Sequence, residues 1–132
     1  MDNTLHFIGL MKKASALAIG ADNIYTATEL GRVKLLCLAS DTAKNTASSI
    51  KNTAENWELP LLTLSATKTE LGEALGQKEC AALGITDTGF ALALCKKLGK
   101  NTYEEQLAQQ LEREKKRKAK KTAAGAARKR RK

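Results

Sequence analysis

Three short stretches carry the residue types that can meet a phosphate or a base edge: Gly20-Ala21-Asp22-Asn23-Ile24-Tyr25-Thr26-Ala27, Ala39-Ser40-Asp41 and Leu71-Gly72-Glu73-Ala74-Leu75-Gly76. In the first, a glycine precedes two short polar side chains and then Ile24, Ala27 and Leu30 at helical spacing, so a loop opens a helix. The first turn of such a helix has backbone N–H groups without intrahelical partners and the positive end of the helix dipole. That combination suits an anion or a base edge. An ordinary helix cap has the same signature and is the plainer reading of this stretch taken alone.

Cations are distributed unevenly around these stretches. The net charge is +9, but residues 1–100 hold 11 Lys/Arg against 10 Asp/Glu and residues 101–132 hold 12 against 4. The basic set is Arg113, Lys115, Lys116, Arg117, Lys118, Lys120, Lys121, Arg128, Lys129, Arg130, Arg131 and Lys132. A tract of this density binds a polyanion with steep salt dependence and little sequence preference; the rival reading is a solubilising tail. Earlier in the chain, Lys12, Lys13, Arg32, Lys34 and Lys78 form a possible basic rim, each being individually explicable as a solvated surface side chain.

Catalytic chemistry finds no foothold. His6 is the sole histidine, no nucleophile and base are suggested beside it, and neither GxGxxG nor GxxxxGK[ST] occurs. The three cysteines, Cys37, Cys80 and Cys95, form no CxxC pair and sit in apolar runs, which reads as buried reduced thiols in a cytoplasmic protein. No metal site or cofactor is expected. There is no apolar run of membrane-spanning length and no basic segment ahead of an apolar one at the N-terminus, so neither membrane association nor secretion is expected. Trp57 is read as a core or core-edge residue, with base stacking as the lesser alternative.

The elements that must position these groups follow from spacing. Residues 4–18 read as a helix on Phe7, Leu10, Met11, Ala14 and Leu17, ended by Gly20. A second helix runs from about Asp22 to Leu30 and stops at Gly31. The run from Val33 to Ala39 reads as a strand buried on both faces, hence central and parallel. Asp41 is a candidate cap for a third helix on Ala43, Ala47, Ile50, Ala54 and Trp57. After Pro60 a short strand, residues 61–64, precedes a capping box, Thr67-Lys68-Thr69-Glu70, and a helix closed by Gly76. A third buried strand spans residues 80–86, and Asp87 caps a helix ended by Gly99. Alternating helices and strands imply an α/β fold, a three-layer α/β/α sandwich around a small mixed sheet over residues 1–99. Residues 100–132 form a basic C-terminal helical tail: helical from a capping box at Thr102 to about Lys121, too poor in apolar residues to pack firmly, and unstructured beyond.

Residues 8–98 resemble the superfamily of kink-turn RNA-binding ribosomal proteins, the L-seven-Ae and L-thirty-e type, and most closely its small bacterial YlxQ-type branch. The carriers are Gly20 with Asp22 and Asn23, Gly31-Arg32-Val33-Lys34-Leu35, Ala39-Ser40-Asp41, Asn45-Thr46, Leu71-Gly72, Gly76, and Ile85-Thr86-Asp87-Thr88-Gly89-Phe90. The ordered set is more specific than any member. The resemblance implies that the segment with Gly20, Ala21, Asp22, Asn23 and Thr26 enters the widened groove of a sharply bent RNA. There its polar side chains read sheared G·A pairs, while a second loop, Gln77-Lys78-Glu79, covers bulged bases. The chain departs from the strongest binders at Asp22-Asn23 and Thr26, where they carry Asn-Glu and Lys, and in the polar character of the second loop.

The resulting expectation is a non-catalytic, cytoplasmic RNA-binding protein, monomeric when free, associated with the ribosome or another structured RNA, with the tail adding salt-dependent affinity. The alternatives are a protein-interaction module of the translation or transcription machinery with a nonspecific nucleic-acid-binding tail, and a small enzyme on the same layered fold.

Overall fold

The computed structural model of the chain describes the backbone of residues 3–99 and 101–130 and the side chains of residues 4–99 and 103–117. Its elements are α1 (Asn3–Lys13), β1 (Leu17–Ile19), α2 (Ala21–Glu29), β2 (Leu35–Leu38), α3 (Lys44–Asn56), β3 (Leu61–Thr63), α4 (Lys68–Leu75), β4 (Ala82–Ile85), α5 (Thr88–Leu98) and α6 (Asn101–Arg130).

Alternation along β2 organises the layers. Leu35 and Cys37 point to one face of the sheet, where Ile8 and Met11 of α1, Leu71 and Leu75 of α4, Leu94 of α5 and Leu107 of α6 pack. Leu36 and Leu38 point to the other, against Ile24 of α2 and Ile50 and Ala54 of α3. Each Leu or Ile so buried contributes about 2 kcal/mol of transfer free energy, which is why the continuously apolar strands lie in the middle. The result is a three-layer α/β/α sandwich around a mixed sheet of order β1-β4-β2-β3. β4 runs antiparallel to both β1 and β2, while β2 and β3 are parallel. β2 is thus central but parallel on one side only.

Helix ends explain the largest difference from the expected boundaries. α1 stops at Lys13 because Ser15 takes a left-handed conformation, φ 57°, and Ala16 N–H bonds back to the Met11 carbonyl at 2.9 Å. The released residues form β1, a strand expected to be the end of the first helix. The same closure ends α2 through Gly31 (φ 70°), α3 through Glu58 (φ 53°) and α4 through Gly76 (φ 73°), with Arg32, Leu59 and Gln77 as the returning N–H donors. Two of these four turns lack the glycine that would announce them.

Three further expectations change. Asp41 does not cap α3, whose cap position is Ala43; its carboxylate accepts the Lys68 N–H at 2.8 Å and reinforces the Thr67/Glu70 capping box of α4. Trp57, expected in the core or at its edge, is half exposed and belongs to neither core cluster. α6 begins at Asn101, so Thr102 lies inside it, and it continues past Lys121 to Arg130, carried by Ala123, Ala124, Ala126 and Ala127. Its apolar residues, expected to pack too weakly, include Leu107 at 2% exposure in the main core. Arg131 and Lys132 lie outside the described residues, as do the side chains of Lys118, Lys120, Lys121, Arg128, Lys129 and Arg130.

Candidate functional site

Two of the stretches singled out in the sequence, residues 20–27 and 39–41, meet at one edge of the sheet where strands end, and the start of α4 joins them. β1, β2 and β3 end there, and β4 begins there, with Ile19 opposite Leu83, and Leu38 opposite both Ala82 and Thr63. The approach to β4 is the hub. Gly20 N–H donates to the Ala82 carbonyl at 3.2 Å, and Ala39 N–H and the Thr42 hydroxyl both donate to the Ala81 carbonyl, at 2.8 and 2.9 Å. Ser40 N–H reaches Ala66, and the Asp41 carboxylate accepts from Lys68, so the start of α4 is tied to this edge while the third stretch, residues 71–76, runs away from it along the helix.

Gly20 holds φ 88° and ψ 154°, a conformation that a side chain would strain, and turns the chain from β1 directly into α2. No side chain caps this helix, and the first of its N–H groups bonded within it is that of Ile24, to the Gly20 carbonyl at 3.0 Å. The N–H groups of Ala21, Asp22 and Asn23 occupy the orphan positions of the first turn, at the positive end of the dipole. Asn23 is anchored: its Nδ2 donates to the Ile19 carbonyl at 2.8 Å, which leaves its amide oxygen as an exposed acceptor. The Thr26 hydroxyl donates to the Asp22 carbonyl at 3.1 Å. Asp22 is itself exposed, so a carboxylate stands where an incoming phosphate would approach.

The second loop is held close to α4. A Cβ on Gly72 would lie 2.6 Å from Glu79 Cα and 2.9 Å from the Gln77 carbonyl oxygen, so only glycine lets residues 77–79 fold back along the helix. Gln77, Lys78 and Glu79 are all exposed, and the chain then passes through Cys80, whose N–H bonds to the Lys68 carbonyl, into the Ala81–Ala82 hub. The loop therefore flanks the edge that Gly20 occupies.

Arg32 and Lys34 are not part of this edge. Lys34 N–H bonds to the Ile85 carbonyl, at the far end of the sheet; its ammonium donates to Gly31 and lies 3.8 Å from Glu114. Arg32 is exposed on the same turn. Lys12 is also engaged, donating to the Leu75 carbonyl at the end of α4. In α6, Arg113, Lys115, Lys116 and Arg117 are exposed, and Arg113 adjoins the same far end of the sheet.

The three thiols are buried. Burial raises the Cys37 thiol well above its ordinary range and pushes Cys95 up to about 11, with Glu104 adding to the second shift; burial also raises Cys80. Such thiols are poor nucleophiles. His6 is exposed on α1. Among the described residues no three His, Cys, Asp or Glu side chains assemble a metal-ion set, and no helix is long and apolar enough to cross a membrane.

The pattern of the Ribosomal protein L7Ae/L30e/S12e/Gadd45 family matches residues 3–95. The chain is 26% identical to the RNA-binding protein YlxQ of Bacillus subtilis (strain 168) over 84 residues, 64% of this chain and 83% of that one. It is 28% identical to the RNA-binding protein YlxQ of Enterococcus faecium over 87 residues, 66% of this chain and 82% of that one. A solved structure of a protein with unknown function from Bacillus halodurans C superimposes with a TM-score of 0.66 at 27% identity, covering 70% of this chain and 93% of that one.

Proposed function

Since the chain belongs to the Ribosomal protein L7Ae/L30e/S12e/Gadd45 family, we propose that it is a non-catalytic RNA-binding protein whose Gly20 edge recognises sharply bent, structured RNA. Its setting is the cytoplasm, on the ribosome or another structured RNA, and the free protein is a monomer. The observation that carries this reading is the uncapped first turn of α2, set beside the exposed loop 77–79 on one sheet edge. Orphan N–H groups meet phosphate there, the anchored Asn23 amide presents its oxygen to a base edge, and the loop covers unstacked bases, contacts that a kinked site admits and a regular A-form groove does not.

The cations of α6 supply the long-range attraction that Asp22 withholds. Glu114 accepts from Thr88 and ties α6 to α5, and the cations beyond Arg117 make up the basic arm. A chain ending at Arg117 keeps Leu107 and Glu114 in place while losing eight Lys/Arg. It is expected to bind structured RNA more weakly and with a shallower dependence on salt; an unchanged salt slope removes the arm from the mechanism.

Gel shift on an RNA with a sharply bent internal loop, against a fully paired duplex of equal length, tests the edge. The bent RNA should bind more tightly, and Asn23→Ala should weaken it about tenfold, the worth of one polar contact, without unfolding the chain. Equal affinity for both RNAs sinks the proposal. Asp22 supports one rival, a protein-interaction module of the translation or transcription machinery with a nonspecific nucleic-acid-binding arm; crosslinking in cells would then give diffuse signal instead of a sharp structured site.

A further inference from the structure

At the sheet end opposite Gly20, α6 and the turn after α3 enclose a cleft of about 390 Å³. From its position and lining we propose a second RNA contact, in which the cleft takes one unpaired nucleotide with its base against Trp57. The proposal borrows its ligand class from the RNA-binding reading but stands on different residues.

Trp57 is 50% exposed, and it is the only aromatic among the large apolar side chains left exposed in the described residues. Phe7 and Phe90, by contrast, pack on each other with ring centroids 5.7 Å apart against the main core. Trp57 is held out by the turn that follows it: Glu58 adopts φ 53°, Leu59 N–H returns to the Ala54 carbonyl, and Pro60 bars any continuation of α3. A side chain with so large an apolar surface, fixed by a strained turn at the lip of a cleft, is a stacking platform in search of a flat partner.

The rest of the lining selects that partner. Gln106 and Gln109 offer carboxamides, each able to donate and to accept, which is what an unpaired base edge requires, while Gln110 already donates to Glu114. Arg113 supplies a cation at the α6 wall, whereas Lys34 is already shared between Gly31 and Glu114. Glu58 lies on the Trp57 side, so its carboxylate repels phosphate there and the charges orient the nucleotide, base toward Trp57 and backbone toward α6. From Arg113 the exposed Lys115, Lys116 and Arg117 continue along the helix and provide a cationic track for the adjoining strand. α2, which connects the two ends of the sheet, is about 14 Å long, so one folded RNA with a single-stranded extension can reach both sites.

The chain has a single tryptophan, and its emission therefore reports this site alone. Titration of the full chain with a short single-stranded oligoadenylate should quench Trp57 to saturation. Inorganic polyphosphate, which has backbone charge without bases, should bind the arm and leave emission nearly unchanged. By anisotropy of the labelled oligonucleotide, Trp57→Leu should weaken binding about tenfold and Trp57→Phe by less, stacking being retained in part; far-UV circular dichroism verifies that both variants fold. Oligoadenylate that binds without quenching and with equal affinity for Trp57→Leu overturns the site, as does absence of binding, which would leave the cleft to a protein partner. The bent-RNA gel shift reads the Gly20 edge and Trp57 emission reads the cleft, so failure at the one and failure at the other are separately visible.

Discussion

Thr88 on α5 donates its hydroxyl to Glu114 on α6 across 2.9 Å, and the same carboxylate oxygen accepts from Gln110 at 3.4 Å and lies 3.8 Å from the Lys34 ammonium. Thr88 is 2% exposed, so its hydroxyl depends on this acceptor. One carboxylate thereby ties the basic helix to α5 and to the entry of β2. Glu114→Ala leaves a buried hydroxyl unpaired and should destabilise the chain by about 1–3 kcal/mol, read as a lower urea midpoint at unchanged slope. Glu114→Gln, which keeps an acceptor, should recover most of the loss, and Glu112→Ala, on an exposed position, should cost nothing measurable. Equal effects of the two alanine variants would show that the bond is idle.

The left-handed residues Ser15 and Glu58 predict gains. Each closes a helix in a conformation that costs a side chain about 1–2 kcal/mol and glycine almost nothing. Glycine gives part of this back through its larger unfolded-state entropy. Ser15→Gly and Glu58→Gly should each therefore raise stability by about 0.5–1 kcal/mol. Gly99→Ala measures the converse: φ is 69° and a Cβ there would meet nothing, so any loss is backbone strain alone. Thermal melts of the three variants decide it, and destabilisation by Glu58→Gly would mean that Glu58 makes a contact worth more than its strain.

These same turns show what was legible in the sequence. Where a helix ended in glycine, at Gly31, Gly76 and Gly99, or began at a capping box or Asp87, its boundary could be read, because the signal is local. Where the stop is Ser15, no local residue announces it, and the helical spacing of apolar residues runs on into β1. Its pairing with β4 is a tertiary fact with no counterpart in a three-residue strand. Asp41 reads as a capping residue, but the helix it serves is α4 and not α3, since its partner Lys68 is distant in sequence. The Gly20 stretch stood out because glycine before short polar residues and an apolar stripe is a short-range pattern. That Arg32 and Lys34 belong to the other end of the sheet, and that Trp57 is exposed beside α6, depends on where a distant helix lands.

Gly72 separates loop placement from loop chemistry. An added Cβ would lie 2.6 Å from Glu79 Cα, a backbone atom that cannot rotate away. Gly72→Ala must therefore shift residues 77–79, and a loss of about 1–3 kcal/mol is expected from the overpacking. If the loop covers bulged bases, bent-RNA affinity should also fall under conditions where the variant remains fully folded, while Lys78→Ala, which leaves the backbone in place, should reduce affinity only at low salt. Full retention of binding by folded Gly72→Ala would detach the second loop from recognition.

The buried thiols set a limit on alkaline stability. Burial raises Cys37, Cys80 and Cys95, and for Cys95 the rise runs from an ordinary 9.0 to about 11. Across that interval the unfolded chain has released a proton that the folded chain still holds, so the unfolded state binds fewer protons and stability falls as pH rises. Stability should be flat up to about pH 8 and then decline by as much as about 1.4 kcal/mol per pH unit for each thiol in its window. Urea midpoints at neutral pH and at pH 10 measure the decline, and Cys95→Ala should lessen it while costing packing at both pH values. A thiol reagent should modify the folded chain only as fast as it opens. Rapid stoichiometric labelling at neutral pH, or a decline unaffected by Cys95→Ala, would mean that these sulfurs are reached by water and that the raised values do not govern the molecule.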